Sequence, residues 1–484
     1  MAKHEKNWPF YRAGDSKVGD VMPCYFNDRF YLYYLRFSEE KPNVWSARET
    51  TDFVHYTDDI RTNVRGGTGE ILAFEGKYHI FKAEDVLPGG VTAINHYIGD
   101  TPYEFVRQTD RIPSDCHYYV PWAWRDPRVI WVEEEQCFWM LVATNQKDGA
   151  PPRRHACVGL LKSKDLKEWE YFPPLFAPQS HEGTYECPDM FMMGDWYYLV
   201  YSNANQDKMT HYVKSRSRSG PWEIPKDDTL DSFLFYAGRV AGDDRQRIIA
   251  AWNAERTGND LGPKFGLRDV VKCDMIQKED FAPLGYAGDM VIHQIGQFGN
   301  GDIRLMPVSQ IASEFSRKKT TGFEPLYGAG WDVGNDRFST ESVSLYTCAS
   351  VSDLPERCLI RFGLKADCRE AGVALGTDRS FCDKGYYLRF EPRKGRMQAM
   401  TGLREGFPWI AYCLPYAVEE EVFAEPDNDG YYHVEIIRAG ELATVYVNGK
   451  ALSLRSANMT GDLIGIYVFD GKAEFTGFEI LETE

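Results

Sequence analysis

Long apolar runs are missing from this 484-residue chain: no stretch approaches the roughly 18 residues that span a bilayer. The opening MAKHEKNWPFYRAG lacks the apolar core of a signal peptide, so neither a membrane span nor a secretory leader is expected. Positive charge is scarce as well. Lys plus Arg total 55 against 72 Asp plus Glu, and the net charge of −17 repels nucleic-acid phosphates and anionic membrane surfaces. The 11 cysteines form no C-x-x-C pair, which removes the usual zinc arrangement and fits buried thiols in a reducing, cytoplasmic setting. Helical periodicity is nearly absent before residue 320, where the expected helical turns are short, such as the one around Ser163 to Glu168.

Aromatic residues, at 14%, are plentiful. They suit strands, and they also suit clefts in which flat rings lie against sugar faces. A repeat decides for strands. Five segments share a short apolar run, a polar turn and a stronger aromatic or β-branched run: VMPCYF-NDR-FYLYYL from Val21, ILAF-EGK-YHIF from Ile71, PRVIWV-EEEQ-CFWMLV from Pro127, PDMFM-MGD-WYYLVYS from Pro188 and YAGRVA-GDDRQ-RIIAAW from Tyr236. Their second runs begin near Phe30, Tyr78, Phe138, Tyr197 and Ile248, about 50 to 60 residues apart, which predicts one four-stranded sheet per repeat. The expected fold is all-β: a five-bladed β-propeller over residues 1–320, a Gly- and Asp-rich linker over 321–338, and a β-sandwich over 339–484. Within the sandwich, Asn448-Gly449 predicts a type I′ hairpin.

Three acids fall at one point of the repeat. Asp20, Asp126 and Glu186 stand at or just before the first strand of units one, three and four, each about 10 to 12 residues ahead of the aromatic start of the second strand. Innermost strands line a propeller axis, so equivalent positions converge at one end of it. Clustered carboxyls raise one another's proton affinity and leave a protonated acid beside ionised neighbours, the equipment for glycoside hydrolysis. A single Asp would more simply cap a turn or pair with an arginine, as Arg125 beside Asp126 allows. Asp15, five residues before Asp20, is an alternative to it as the acid of unit one. The basic run Lys214 to Gly220 reads as a solvated turn, and His181 as a solvated loop residue.

At these residues the chain resembles glycoside hydrolase family 32, the β-fructofuranosidases that include invertases, inulinases and levanases. AWRDPRVIW is similar to the family's Arg-Asp-Pro motif and TYECPDMF to its Glu-Cys motif; FNDRFYLYYL and VWSARETTDFVHY downstream of Asp20, and LLKSKDLKEWEY before Glu186, also match in order, over roughly residues 15 to 310. Around Asp20 the chain reads SKVGDVMPC where the family has Trp-Met-Asn-Asp-Pro-Asn-Gly. The resemblance implies that Asp20 is the nucleophile of a retaining mechanism and Glu186 the acid/base. It implies that Asp126, with Arg125 beside it, grips fructose hydroxyls. Substrate contacts are further expected from Trp45, Trp122, Trp124 and Tyr236, with no metal or cofactor. The implied partner is a small saccharide such as sucrose or a fructo-oligosaccharide, not nucleic acid or a membrane, and self-association is compatible with this reading. The alternatives are an inverting arabinan- or xylan-type enzyme resembling family 43 and a sugar-binding propeller without catalysis.

Overall fold

The computed structural model describes all residues except 1–8, 39–40, 151–153, 181–182, 204–206, 257–283, 320–321, 329, 335–336, 352, 378–384 and 402–416. His181 lies outside the described residues. The chain forms two compact units. One comprises the described residues up to Asn253 together with Ala287–Arg304, and the other contains the residues from Leu305 onward.

The first unit is the five-bladed propeller. Blade I consists of Lys17–Phe26, Arg29–Ser38, Lys41–Thr50 and Ile60–Arg65, and blade II of Gly69–Phe74, Lys77–Leu87, Val91–Gly99 and Val106–Pro113. Blade III has Tyr119–Val132, Cys137–Ala150, Arg154–Ser163 and Glu170–Phe176, and blade IV has Tyr185–Met193, Trp196–Asn203 and Thr210–Ser215. Phe235–Gly242, Arg247–Arg256 and Leu284–Gln297 build blade V. The first strand of each blade touches the first strand of the next in the cycle I–II–III–IV–V–I, so five inner strands surround one axis. The segment before blade I closes the ring: Tyr11 and Met290 exchange both backbone hydrogen bonds, at 3.1 and 2.8 Å, and Val18 pairs with Gly288.

Local chemistry explains the hairpins. Asn27-Asp28 and Glu75-Gly76 turn with both residues at positive φ, the geometry of a tight hairpin that matches strand twist. Aromatic and aliphatic side chains then fill the space between neighbouring blades, with Tyr33, Trp45, Ile71 and Ile80 in one seam and Phe81, Trp124, Phe138 and Met140 in the next. Ser163 to Glu168 is not helical. Ser163 Oγ accepts from the amides of Asp165 and Leu166, and Asp165 Oδ1 from those of Lys167 and Glu168; these side-chain acceptors satisfy the backbone in a bend. Lys214 is buried rather than solvated, donating to Asp302 and to the Asn300 carbonyl at 2.8 Å each.

The second unit is the β-sandwich. Its two longest strands, Arg357–Thr377 and Leu463–Thr483, pair with each other along most of their length. The first half of Arg357–Thr377 pairs with Tyr432–Ala439 and its second half with Tyr386–Glu391, so one strand serves both sheets. Asn448 and Gly449 both take positive φ, 47° and 84°, and join Leu442–Val447 to Lys450–Arg455 in the expected hairpin. The sandwich draws strands from upstream of residue 339. Phe315–Lys319 pairs with Leu463–Thr483, and Glu324–Tyr327 and Asp332–Val333, inside the stretch expected as a linker, pair with Arg337–Val351.

Candidate active site

A β-bulge recurs on the inner strands of four blades. Arg125 pairs with Ala143 and Arg128 with Leu141, so Asp126 and Pro127 share a single opposing residue. Glu186 and Asp189 pair with Ser202 and Val200 around the bulge Cys187-Pro188, and Tyr236 and Arg239 with Trp252 and Ala250 around Ala237-Gly238. In blade I, Val18 and Val21 flank Gly19-Asp20 in the same way. Asp126, Cys187 and Ala237 hold φ of 53°, 48° and 61°, left-handed values that each cost a non-glycine residue about 1 to 2 kcal/mol. A bulge re-aims side chains, and here it turns one polar group per blade toward its neighbours on adjacent blades.

The acids therefore do not share one register, as the sequence spacing suggested. Glu186 takes the first position of the bulge motif, Asp126 the second and Asp20 the third. Pro127 and Pro188, which occupy the same place, align Asp126 with Cys187 and Arg125 with Glu186.

The three carboxyls nonetheless form one electrostatic cluster. Burial raises the proton affinity of Asp20, the Glu186 charge adds to it, and hydrogen bonds from Thr68 and Trp252 oppose it. Thr68 Oγ1 donates to Oδ2, and Trp252 Nε1 to Oδ1 at 2.8 Å. Asp126 is buried, and desolvation pushes it up to about 6 against the pull of Arg125, with the charges of Glu186 and Asp20 raising it further. Its Oδ2 accepts from the Cys187 amide at 3.2 Å and lies 3.8 Å from Arg125 Nε. Glu186 is held from both sides: Arg125 Nη2 donates to Oε1 at 2.5 Å and Tyr236 OH to Oε2 at 2.5 Å. Arg125 Nη2 also reaches Thr184 Oγ1 at 2.6 Å. The Tyr236 and Trp252 rings meet edge-on at 5.5 Å, so the donors of Glu186 and Asp20 brace each other. Desolvation, followed by the Glu186 charge, raises the Tyr236 phenol far above its ordinary value, so it stays a donor. The Cys187 thiol is pushed up by burial and then by Asp126, and remains a neutral neighbour.

One step further along the same strands lies a second charged layer. Arg128 Nη1 donates to Glu70 Oε2 and Arg128 Nε meets Asp189 Oδ1, both at 2.9 Å. Arg239 Nη1 lies 3.6 Å from Glu70 Oε2, and the Val240 amide donates to Asp189 Oδ2 at 2.7 Å. Two acids and two arginines alternate around the axis. All four are buried or nearly so.

The structure thus brings Asp20, Asp126, Glu186, Arg125 and Tyr236 together and leaves other expected residues aside. Trp45 is 0% exposed in the seam of blades I and II, its indole bound to the Gly67 carbonyl at 3.2 Å, and Trp124 is 0% exposed with its indole on the Ile112 carbonyl at 3.1 Å. Neither can stack on a ligand without repacking a blade. Trp122, three residues before Arg125 on the same strand, is 69% exposed. Asp15 sits exposed in the turn before blade I. Thr68 and Trp252 were missed by sequence reasoning. Trp252 comes from blade V and Thr68 from the connection between blades I and II, and only the closed ring places both beside Asp20.

The fold is a five-bladed propeller with clustered carboxyls on its inner strands, and comparison with known proteins finds chains similar to it. Residues 100–262 match the model of the glycosyl hydrolases family 32 N-terminal domain. A levanbiose-producing levanase of Geobacillus stearothermophilus is 25% identical over 239 residues, 46% of this chain and 53% of the relative. A sucrose-6-phosphate hydrolase of Escherichia coli is 32% identical over 190 residues, 39% of this chain and 37% of the relative. The match therefore spans about half, or less, of these relatives' length. The exo-inulinase structure from Aspergillus awamori shares the fold with a TM-score of 0.66 at 12% identity, covering 98% of both chains. Over these residues the chain is similar to glycoside hydrolase family 32, and its fold is that of a solved exo-inulinase.

Proposed function

We propose that this chain is a retaining glycoside hydrolase that releases β-linked fructofuranosyl units from a small oligosaccharide such as sucrose or a fructo-oligosaccharide. The observation that supports this most is the asymmetric holding of two clustered carboxyls. Asp20 accepts from the neutral donors Thr68 and Trp252, while Glu186 sits between a guanidinium and a phenol. In this reading Glu186 gives its proton to the departing glycosidic oxygen as an Asp20 oxygen bonds to the anomeric carbon. Glu186, now a carboxylate, then takes a proton from water, the water oxygen bonds to the same carbon, and Asp20 leaves. Asp126 accepts hydrogen bonds from fructose hydroxyls; these tighten as positive charge grows on the ring. Arg125 orients both Glu186 and Asp126, and the exposed Trp122 is the aromatic best placed to meet an outer sugar. Cys24, Cys137, Cys157 and Cys187 are buried thiols, which suits a cytoplasmic setting, and among the described residues no helix is long and apolar enough to cross a membrane.

The test is incubation of the full chain with sucrose, short fructans, difructose anhydrides and arabino-oligosaccharides. Fructose release that disappears in Asp20→Asn is expected. Release of arabinose without fructose would overturn the reading.

A further inference from the structure

We propose that Arg239, clamped beside Glu70, is a positioning residue for the carboxylate cluster: it pins the backbone next to Asp126 and Thr68 and places a buried positive charge behind both Asp126 and Asp20. Arg239 comes from blade V and is 0% exposed. Its Nη1 donates to the Gly69 carbonyl of blade II at 2.7 Å and to the Pro127 carbonyl of blade III at 3.2 Å, and its Nη2 donates to the Asp126 carbonyl at 3.0 Å. Each anchor adjoins something the site depends on. Gly69 follows Thr68, the donor to Asp20, and it leaves no room for a side chain, since a Cβ there would lie 2.3 Å from the Phe81 carbonyl. Asp126 and Pro127 form the left-handed bulge that aims the Asp126 carboxyl. A planar fork can span three carbonyls from two blades at once; a lysine amine at the end of a flexible stem cannot hold them in the same geometry.

Charge is the second part of the role. Arg239 lowers the proton affinity of both Asp20 and Asp126, against burial and against Glu186, which raise it. The charged and titratable groups around these acids are Arg125 and Arg128 on blade III, Glu186, Cys187 and Asp189 on blade IV, Tyr236 on blade V and Glu70 on blade II. Of the arginines, Arg239 is the one that also bonds the Asp126 backbone.

The kinetic readout rests on the hydrolase reading, so the experiment pairs it with one that does not. The acid limb of kcat/KM with a fructan substrate is followed in Arg239→Lys, Arg239→Gln and the double variant Glu70→Gln/Arg239→Gln. The side-chain carboxyls of Asp20 and Asp126 are titrated by 13C NMR in the same proteins. Arg239→Lys keeps the charge and loses the fork, so kcat should fall roughly tenfold or more while KM and the acid limb stay close to the parent. Arg239→Gln should add an upward shift of the acid limb, and of the Asp126 carboxyl titration, by roughly one pH unit, and the double variant, which also removes the Glu70 carboxyl, a smaller upward shift because Arg239 lies nearer to Asp126. The double variant removes the buried pair together and so leaves no new unpaired charge if Arg239→Gln alone does not fold. Folded Gln variants whose Asp126 titration does not move would overturn the proposal, as would an unchanged kcat in Arg239→Lys. A parent that releases no fructose would instead overturn the hydrolase reading, and the NMR titration would still decide the role of Arg239.

Discussion

Two charged layers cross the propeller axis one step apart on the same strands, and they are built in opposite ways. In the deeper layer Glu70 and Asp189 are matched by Arg128 and Arg239, so that charge is balanced and each group is tied to its neighbour. In the cluster beside it, Arg125 pairs with Glu186 and lies beside Asp126, and the three acids accept from a threonine, an indole, a phenol and a backbone amide, with the charge of Arg239 set behind them. The balanced layer welds blades II to V. The unbalanced one stores proton affinity that a reaction can use. The contrast separates acids that hold the fold from acids that perform the proposed chemistry, although all are buried or partly buried on inner strands.

Substitutions can break this contrast, and the largest effect is expected at Asp20. Asp20→Asn removes the proposed nucleophile and should lower kcat by about four or more orders of magnitude while the far-ultraviolet circular dichroism stays that of the parent. Glu186→Gln should cost about two to four orders of magnitude in kcat with substrate still bound, as isothermal titration would register. Deeper in, Asp189→Asn leaves buried Arg128 short of one partner and should lower stability by about 3 kcal/mol in urea unfolding, because a broken buried pair leaves an uncompensated charge.

The sign of the pH effect sharpens the comparison further. Burial raises Asp126 to about 6 in the folded state, above its unfolded value, so the folded state holds the extra proton and its stability falls as pH rises from the unfolded value through 6. Asp126→Asn removes that loss. It should gain up to about 2 kcal/mol over the parent at pH 8, a gain that vanishes toward pH 4, while activity drops. The smallest effect is expected at Trp124→Phe: a loss of about 1 kcal/mol in thermal unfolding with KM unchanged, since the indole serves a blade core and the Ile112 carbonyl.

Much of the architecture was legible because hairpins leave local marks. The Asn27-Asp28 and Asn448-Gly449 turns need residues that accept positive φ, and alternating aromatic strands follow them at a regular interval. Asp20, Asp126 and Glu186 were legible as acids of that interval. Their exact offsets were not, because a bulge adds a residue to one strand without changing the hydrophobic pattern around it. The tryptophans misled for a related reason. A strand aromatic that lines a cleft and one that fills a seam look alike in sequence, and Trp45 and Trp124 fill seams. Thr68, Trp252 and Arg239 act across blades, so the ring had to close before their partners could be read.

The stereochemistry of the first-formed product tests the central claim most directly. Proton NMR of a β-fructofuranoside digest, read before mutarotation, should show fructose appearing as the β-anomer, because two displacements at Asp20 restore the starting configuration. Initial appearance of the α-anomer would mean a single displacement by water and would contradict a covalent role for Asp20.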